Sequence, residues 1–158
     1  YRSVFDQCPI CGYYHQRHDF CPLSNQDQLD SVKWRNSTGF KSEQNFYNYG
    51  RAFGHINKTQ TAILVESPGN VWRLNEAGFY NSLAVLGSKF SKWQRRLLSK
   101  TAAINLVTIM DNDDGGELAR KIVSKSCDTM YNISHLLPRT GGDLADMDVK
   151  EVKELIYG

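Results

Sequence analysis

The stretch Ile104-Asn-Leu-Val-Thr-Ile-Met-Asp-Asn-Asp-Asp-Gly-Gly116 constrains this chain most. It opens as a short, mostly apolar run rich in β-branched residues and breaks abruptly into acids and glycines. A strand buried on both faces of a parallel sheet reads this way. The carboxyl ends of such strands are where open α/β sheets place their ligands. Asp111 and Asp113 are two residues apart, so in extended chain both carboxylates leave the same face. Two like charges held together are unfavourable unless a cation lies between them. Carboxylate oxygens suit Mg²⁺ or Mn²⁺. A plainer reading is an Asp-rich turn that caps the next helix, with Asp114 as N-cap ahead of Gly115, Gly116 and Glu117.

The rest of the second half alternates strands and helices around this stretch. Ala62 to Val65 reads as a short buried strand ending at Glu66. Ser67, Pro68, Gly69 and Asn70 supply turn chemistry that opens a helix with Val71, Leu74 and Ala77 on one face, stopped by Gly78. Ser82 to Leu86 is a second strand, closed by Gly87 and Ser88. A helix from Ser91 to Leu98 has a basic face of Lys92, Arg95 and Arg96 and an apolar face that includes Trp93 and Leu97. After the strand before Asp111, Glu117 to Lys125 is a third helix with Leu118, Ile122 and Val123 inward. Met130 to Ile133 is a fourth strand and 138–142 a loop. Val149 to Ile156 closes the chain as a helix with Val149, Val152, Leu155 and Ile156 as its apolar stripe. This β-α-β-α-β-α-β order implies right-handed crossovers, and so an α/β fold: an open parallel sheet flanked by helices. Glu66, Asp111 and Asp143 then lie at or beyond the carboxyl ends of strands. Three separated acids would converge on one rim, with Asp146 close behind, and that convergence favours the divalent metal over the capping turn.

At 158 residues the chain is one domain with a small appendage. A net charge of +2 gives no overall basic character, so contact with nucleic acid has to come from a local patch. No apolar run is long enough to cross a membrane, and no signal-peptide pattern is present. The chain starts at Tyr1 rather than Met, which reads as a fragment of a longer protein. Three of the four cysteines fall within the first two dozen residues. In an intracellular protein such crowding points to metal rather than disulfides.

Cys8-x-x-Cys11-Gly is a knuckle that presents two thiolates to a tetrahedral ion. Cys21 supplies a third ligand and His18 or His15 a fourth, giving a structural Zn²⁺ site. The alternative is a reduced cysteine pair in a loop with two surface histidines. A polar linker at 24–31 follows. Between Lys33 and Arg51, the cations Lys33, Arg35, Lys41 and Arg51 are interleaved with Trp34, Phe40, Phe46, Tyr47 and Tyr49. Cations for phosphates and flat rings for bases are the ingredients of a nucleotide or single-strand groove, although an amphipathic surface has the same composition.

A Glu at the end of the first strand, the Leu86-Gly87 turn, a D-x-D followed by Gly, and a later Asp resemble a Toprim domain, the metal-binding module of DnaG-type primases, topoisomerases and some nucleases. The resemblance spans 62–156. Upstream, Lys33-Trp34-Arg35-Asn36-Ser37 and Phe46 to Arg51 look like the K-Y-x-N-S and hydrophobic-x-x-G-R segments that precede Toprim in those primases. Asp143-Leu-Ala-Asp-Met147 is similar to the K-D-x-N-D-M ending of phage primases. The sequence departs from the family pattern at Trp34 (usually Tyr), at Tyr49 (usually basic) and at Asn70, where E-G-x-x-D would place a second acid. The cysteine segment looks like an insertion into the core.

The resemblance implies a DNA primase core, bacterial or phage. Residues 1–57 would be its N-terminal part, with the zinc knuckle at 8–21 and the basic and aromatic segment at 33–51; 58–158 would be Toprim. The expected reaction is DNA-directed synthesis of RNA primers with Mg²⁺ or Mn²⁺. Glu66, Asp111 and Asp113 would be catalytic. Asp111, Asp113 and Asp143 would hold the metal. Lys33, Trp34, Arg35, Asn36, Lys41 and Arg51 would contact nucleotide or DNA. Single-stranded template, NTPs and a replicative helicase would be the partners, in the cytoplasm of a bacterial cell or phage-infected host. Two rivals are DNA cleavage of the Toprim nuclease or topoisomerase kind, and a non-catalytic RecR-type recombination module; the D-x-D argues against the latter.

Overall fold

The computed structural model describes the strands Phe5–Gln7 and Tyr14–Gln16 and then residues 39–86, 90–138 and 143–158. The chain divides into two compact units, Tyr1–Phe40 and Lys41–Gly158. In the first, β1 (Phe5–Gln7) and β2 (Tyr14–Gln16) pair antiparallel, with Asp6 opposite His15. Cys8, Cys11, His18 and Cys21 lie outside the described residues, as do Lys33, Trp34, Arg35 and Asn36. The zinc knuckle and the first half of the basic segment therefore stay expectations.

The second unit is the α/β sheet the alternation predicts. Four strands run parallel: β3 (Thr61–Val65), β4 (Ser82–Ala84), β5 (Asn105–Ile109) and β6 (Asn132–Leu136), in spatial order β4-β3-β5-β6. The register pairs Val65 with Ala84 on one side and with Ile109 on the other, so these strands reach their carboxyl ends side by side. After Thr61, β3 shows why its sequence is apolar at every position. Ala62 and Leu64 enter one buried cluster with Leu83, Leu106 and Val123, while Ile63 and Val65 enter another with Val71, Leu74, Ile109 and Val152. A central parallel strand has no face to spare for polar residues.

Helices α1 (Tyr49–Thr59), α3 (Lys92–Leu98) and α4 (Asp114–Cys127) supply buried residues to the first cluster. Helices α2 (Pro68–Glu76) and α5 (Val149–Tyr157) supply them to the second. The α1 helix is absent from the sequence expectations. It carries Gly50 and Gly54 and buries only Ala52 and Ile56, so neither propensity nor a broad apolar stripe marks it. Just before it, Tyr47 pairs with Ala84, N–H to C=O at 3.0 Å and in return at 3.3 Å, which occupies the outer edge of β4.

Three expectations change. The fourth strand begins at Asn132 rather than Met130. Tyr131 is a buried residue ahead of it, and the strand's own side chains are largely exposed, as suits a sheet edge. Trp93 is 42% exposed, because Gln94 takes the inward position. The Gln94 amide donates to the carbonyls of Val85 and Asn45, both at 2.8 Å, and its oxygen accepts from the Ser91 N–H at 3.0 Å. Leu118 is 54% exposed, and the inward face of α4 is Gly116, Ala119, Val123 and Cys127. Among the described residues no helix is long and apolar enough to cross a membrane.

Candidate functional site

Glu66 follows β3 directly and stands half-buried where the parallel strands end. It does not cap the next helix. Ser67 does so, accepting the Asn70 N–H at 3.5 Å, and Pro68 occupies the first turn where its missing N–H is harmless. The Glu66 carboxylate instead accepts the backbone N–H of Asp111 at 3.3 Å, which ties the end of β3 to the end of β5. Leu86 crosses the same point with φ of 61°, an uncommon conformation for leucine. Its N–H bonds the Glu66 carbonyl at 3.0 Å.

Asp111 is half-buried, and its Oδ1 is sealed from water without a hydrogen-bond partner. Burial, then the charges of Glu66, Asp143 and Asp113, push its carboxyl from the ordinary 3.8 to about 6. The Asn70 amide works weakly the other way. Asn70 is itself fully buried and has no hydrogen bond of good geometry at either side-chain atom, so it sits beside Asp111 rather than clasping it. Glu66 is also raised, first by burial and then by Asp113 and Asp143, and is opposed by the Asp111 N–H and by Arg120. Asp113 and Asp143 thus act on both Glu66 and Asp111 in the folded chain.

Two of them also serve as caps. Asp113, not Asp114, is the N-cap of α4, taking the Gly116 N–H at 2.7 Å. Asp114 lies in the first turn. Asp143 caps the short turn Leu144–Asp146, taking the Ala145 N–H at 3.0 Å. A carboxylate has two oxygens with about four acceptor sites, so a cap does not exhaust it.

Gly116 and Arg120 complete the site and were not foreseen. A Cβ at Gly116 would lie 2.0 Å from the Asp111 carbonyl oxygen, so only glycine lets the first turn of α4 press against that backbone. One turn on, Arg120 donates to the same carbonyl at 3.2 Å and brings a positive charge to the acids. The sequence did hold a signal: Asp113, Gly116 and Arg120 fall at i, i+3 and i+7, one face of a helix. Lys41 and Arg51 are exposed, and neither figures among the charges acting on Glu66 or Asp111.

No protein-family model and no curated protein matches the sequence. Solved structures do. The chain is similar to the catalytic cores of DnaG-type primases. Against the zinc-binding and RNA polymerase domains of the Aquifex aeolicus primase it has 26% identity and a TM-score of 0.65, covering 78% of this chain and 32% of that one. A DnaG primase catalytic domain bound to single-stranded DNA gives 20% and 0.63, covering 78% and 40%. A DNA primase domain from Pseudomonas aeruginosa gives 17% and 0.61, covering 91% and 51%. The chain therefore spans between a third and a half of the length of these primase structures. The open parallel sheet is the primase Toprim fold.

Proposed function

We propose that this chain carries the nucleotidyl-transfer centre of a DNA primase, which builds RNA primers on single-stranded DNA in the cytoplasm. The observation that carries the reading is Asp111. A carboxyl with a sealed, unpartnered oxygen and three acids acting on it is poorly placed for a protein that only has to fold.

Carboxylate oxygens are the donor chemistry that suits a hard divalent cation. Among the described residues no three His, Cys, Asp or Glu side chains are gathered tightly enough to chelate an ion as they stand. They form an open rim of oxygen donors, and the unpartnered Asp111 Oδ1 is the atom such an ion would satisfy. Asp111, Asp113 and Asp143 would hold Mg²⁺ or Mn²⁺, which when bound supplies charge neutralisation at the α-phosphate of an incoming NTP and aligns the attacking 3′-hydroxyl.

The chain's own residues do the rest. Burial keeps the Glu66 carboxyl above its ordinary range, which suits it to take the 3′-hydroxyl proton. The Asp111 N–H holds that carboxylate in place. Arg120 fixes the Asp111 backbone and tempers the negative charge of the rim. Lys33, Trp34, Arg35, Asn36, Lys41 and Arg51 would engage template and triphosphate, and the helicase would be met through other parts of the protein. The cysteine segment would be stapled by Zn²⁺.

Glu66→Gln keeps the shape and deletes the charge. Primer synthesis from NTPs on a single-stranded template with Mg²⁺ should fall at least about a hundredfold, as when a general base is lost, while the melting temperature stays near wild type. Full synthesis by Glu66→Gln would refute the role, and so would a parallel collapse of fold and activity. Cleavage of the template without primer synthesis would move the protein to the nuclease reading.

A further inference from the structure

We infer that the outer face of α3 is a second nucleic-acid contact, separate from the acid rim, that takes a single strand by its phosphates and stacks a base on Trp93. No Asp or Glu occurs between Glu76 and Asp111, while Lys89, Lys92, Arg95, Arg96 and Lys100 bring five cations to that interval. Three of them, Lys92, Arg95 and Arg96, lie on α3 in a chain of net charge +2.

On that element Trp93 faces outward with the cations, not inward as the pattern predicts. The Lys92 ammonium lies 5.8 Å from the centre of its ring. Met130, 48% exposed, approaches from the turn after α4. Together with Arg95, Arg96 and Ser99 these residues line an open depression of about 560 Å³. Lys92 and Arg96 make no ion pair with any other described residue.

Glu43 belongs to the short turn Ser42–Gln44 beside α3, where its carbonyl accepts the Ser91 hydroxyl. Asp128 lies just past α4, and Arg95 donates to the Ser126 carbonyl near it at 3.3 Å. Arg95 is thus partly committed to the fold, and Lys92 and Arg96 are the cations available to a ligand.

An outward helix position is most easily filled by a polar side chain, yet Trp93 leaves 42% of its surface in water. Unpaired cations around an exposed ring match phosphate plus base, the chemistry of single-strand platforms. An acidic peptide would satisfy the cations but offers no base to the ring.

The topology aims this face usefully. Helix α3 runs back against the strand direction. Its first turn lies at the carboxyl end of the sheet with Glu66 and Asp111. Just beyond its last turn, the Ala102 N–H meets Asn57 at the end where β3 begins. A strand laid along α3 therefore leads toward the rim. The inference does not rest on the nucleotidyl-transfer reading, because such binding needs neither metal nor the acids.

The test is fluorescence anisotropy of labelled oligo-dT with the full chain, in EDTA and across a salt series. Lys92→Gln/Arg96→Gln should bind more weakly, with the slope of log K against log salt shallower by about 1.4, roughly 0.7 per lost phosphate contact on a single strand. Trp93→Ala should weaken binding about tenfold with the slope unchanged, whereas Trp93→Phe keeps most of it. All these positions are exposed, so melting temperatures report that the fold is intact. Unchanged affinity and slope in the double variant would overturn the inference, as would displacement of oligo-dT by polyglutamate as readily as by unlabelled oligo-dT. If binding behaves as described but no primer is ever made, this inference stands and the primase reading falls.

Discussion

Asp111→Asn should make the metal-free protein more stable, and the size and pH range of the gain follow from the geometry. Folding raises the Asp111 carboxyl from the ordinary 3.8 to about 6, through burial first and then Glu66, Asp143 and Asp113. A tenfold change in proton affinity is worth about 1.4 kcal/mol, so a fully buried carboxylate with this rise would oppose folding by about 3 kcal/mol. Asp111 is only half-buried and solvent screens part of the repulsion, which brings the expectation to roughly 1–2 kcal/mol. The folded chain holds this proton more tightly than the unfolded chain does. The penalty is therefore absent below 3.8, grows as pH rises toward 6, and is complete above that. Asparagine keeps the shape and removes the charge.

Denaturant titrations of wild type and Asp111→Asn in EDTA, near neutral pH and again below the ordinary carboxyl value, supply the comparison. The variant should lead near neutral pH by roughly 1–2 kcal/mol and lose most of that lead in acid. Adding Mg²⁺ should narrow the gap from the wild-type side, since a cation bound only by the folded state stabilises it by mass action. A variant no more stable than wild type near neutrality, or a lead that persists unchanged in acid, would show that the carboxylate is not held against its own charge.

Gly116→Ala should destabilise the chain by about 3 kcal/mol or more, beyond ordinary overpacking, because the methyl meets a backbone carbonyl rather than a flexible side chain. A wild-type melting temperature would contradict the close approach. His135 lies between the hydroxyls of Thr108, 2.6 Å from Nδ1, and Ser124, 2.8 Å from Nε2, and its pKa is lowered by burial and then by Arg120. The unfolded chain takes up this proton first, so the neutral-ring contribution is present above the ordinary value of 6.5 and is lost as pH falls through the lowered one. His135→Gln should flatten that part of the stability profile, and an identical acid limb in both proteins would count against it.

The strands were legible where burial is two-sided. Leu64 and Val65 face opposite clusters, so 62–65 has to be continuously apolar, and 106–109 of β5 follows the same rule except at Thr108, which is buried but paired with His135. Legibility failed where an element borrows its stability from tertiary contacts. Helix α1 is glycine-bearing and narrow, and Ala52 and Ile56 alone among its residues are buried in the core. Trp93 and Leu118 read as inward because each is a large apolar residue on a helix face, yet both are exposed. The space belongs instead to Gln94, whose amide is fully used by three backbone groups, and to Gly116 and Ala119, small enough for α4 to lie close to the sheet. Hydrophobicity ranks side chains, whereas packing also selects for reach and size.

In the candidate site, the gathering of acids was legible in the sequence and what manages them was not. Glu66, Asp111 and Asp143 could be anticipated because parallel strands deliver their carboxyl ends to one edge. What keeps four carboxylates together is spread over residues with no chemical signature of their own. The Asp111 N–H holds Glu66, the Gly116 and Ala145 N–H groups hold Asp113 and Asp143, and Arg120 adds a charge from the next turn. Asn70 belongs with them. It stands where the resembled pattern has an acid, buried beside a carboxyl already pushed to about 6. A fifth carboxylate at that point would add another desolvated like charge. The amide fills the same volume and leaves Asp111 more of its negative form near neutral pH, which is the form a divalent cation requires. The departure from the pattern is thus compatible with the metal reading, and it shifts the demand for ligands onto Asp111, Asp113 and Asp143.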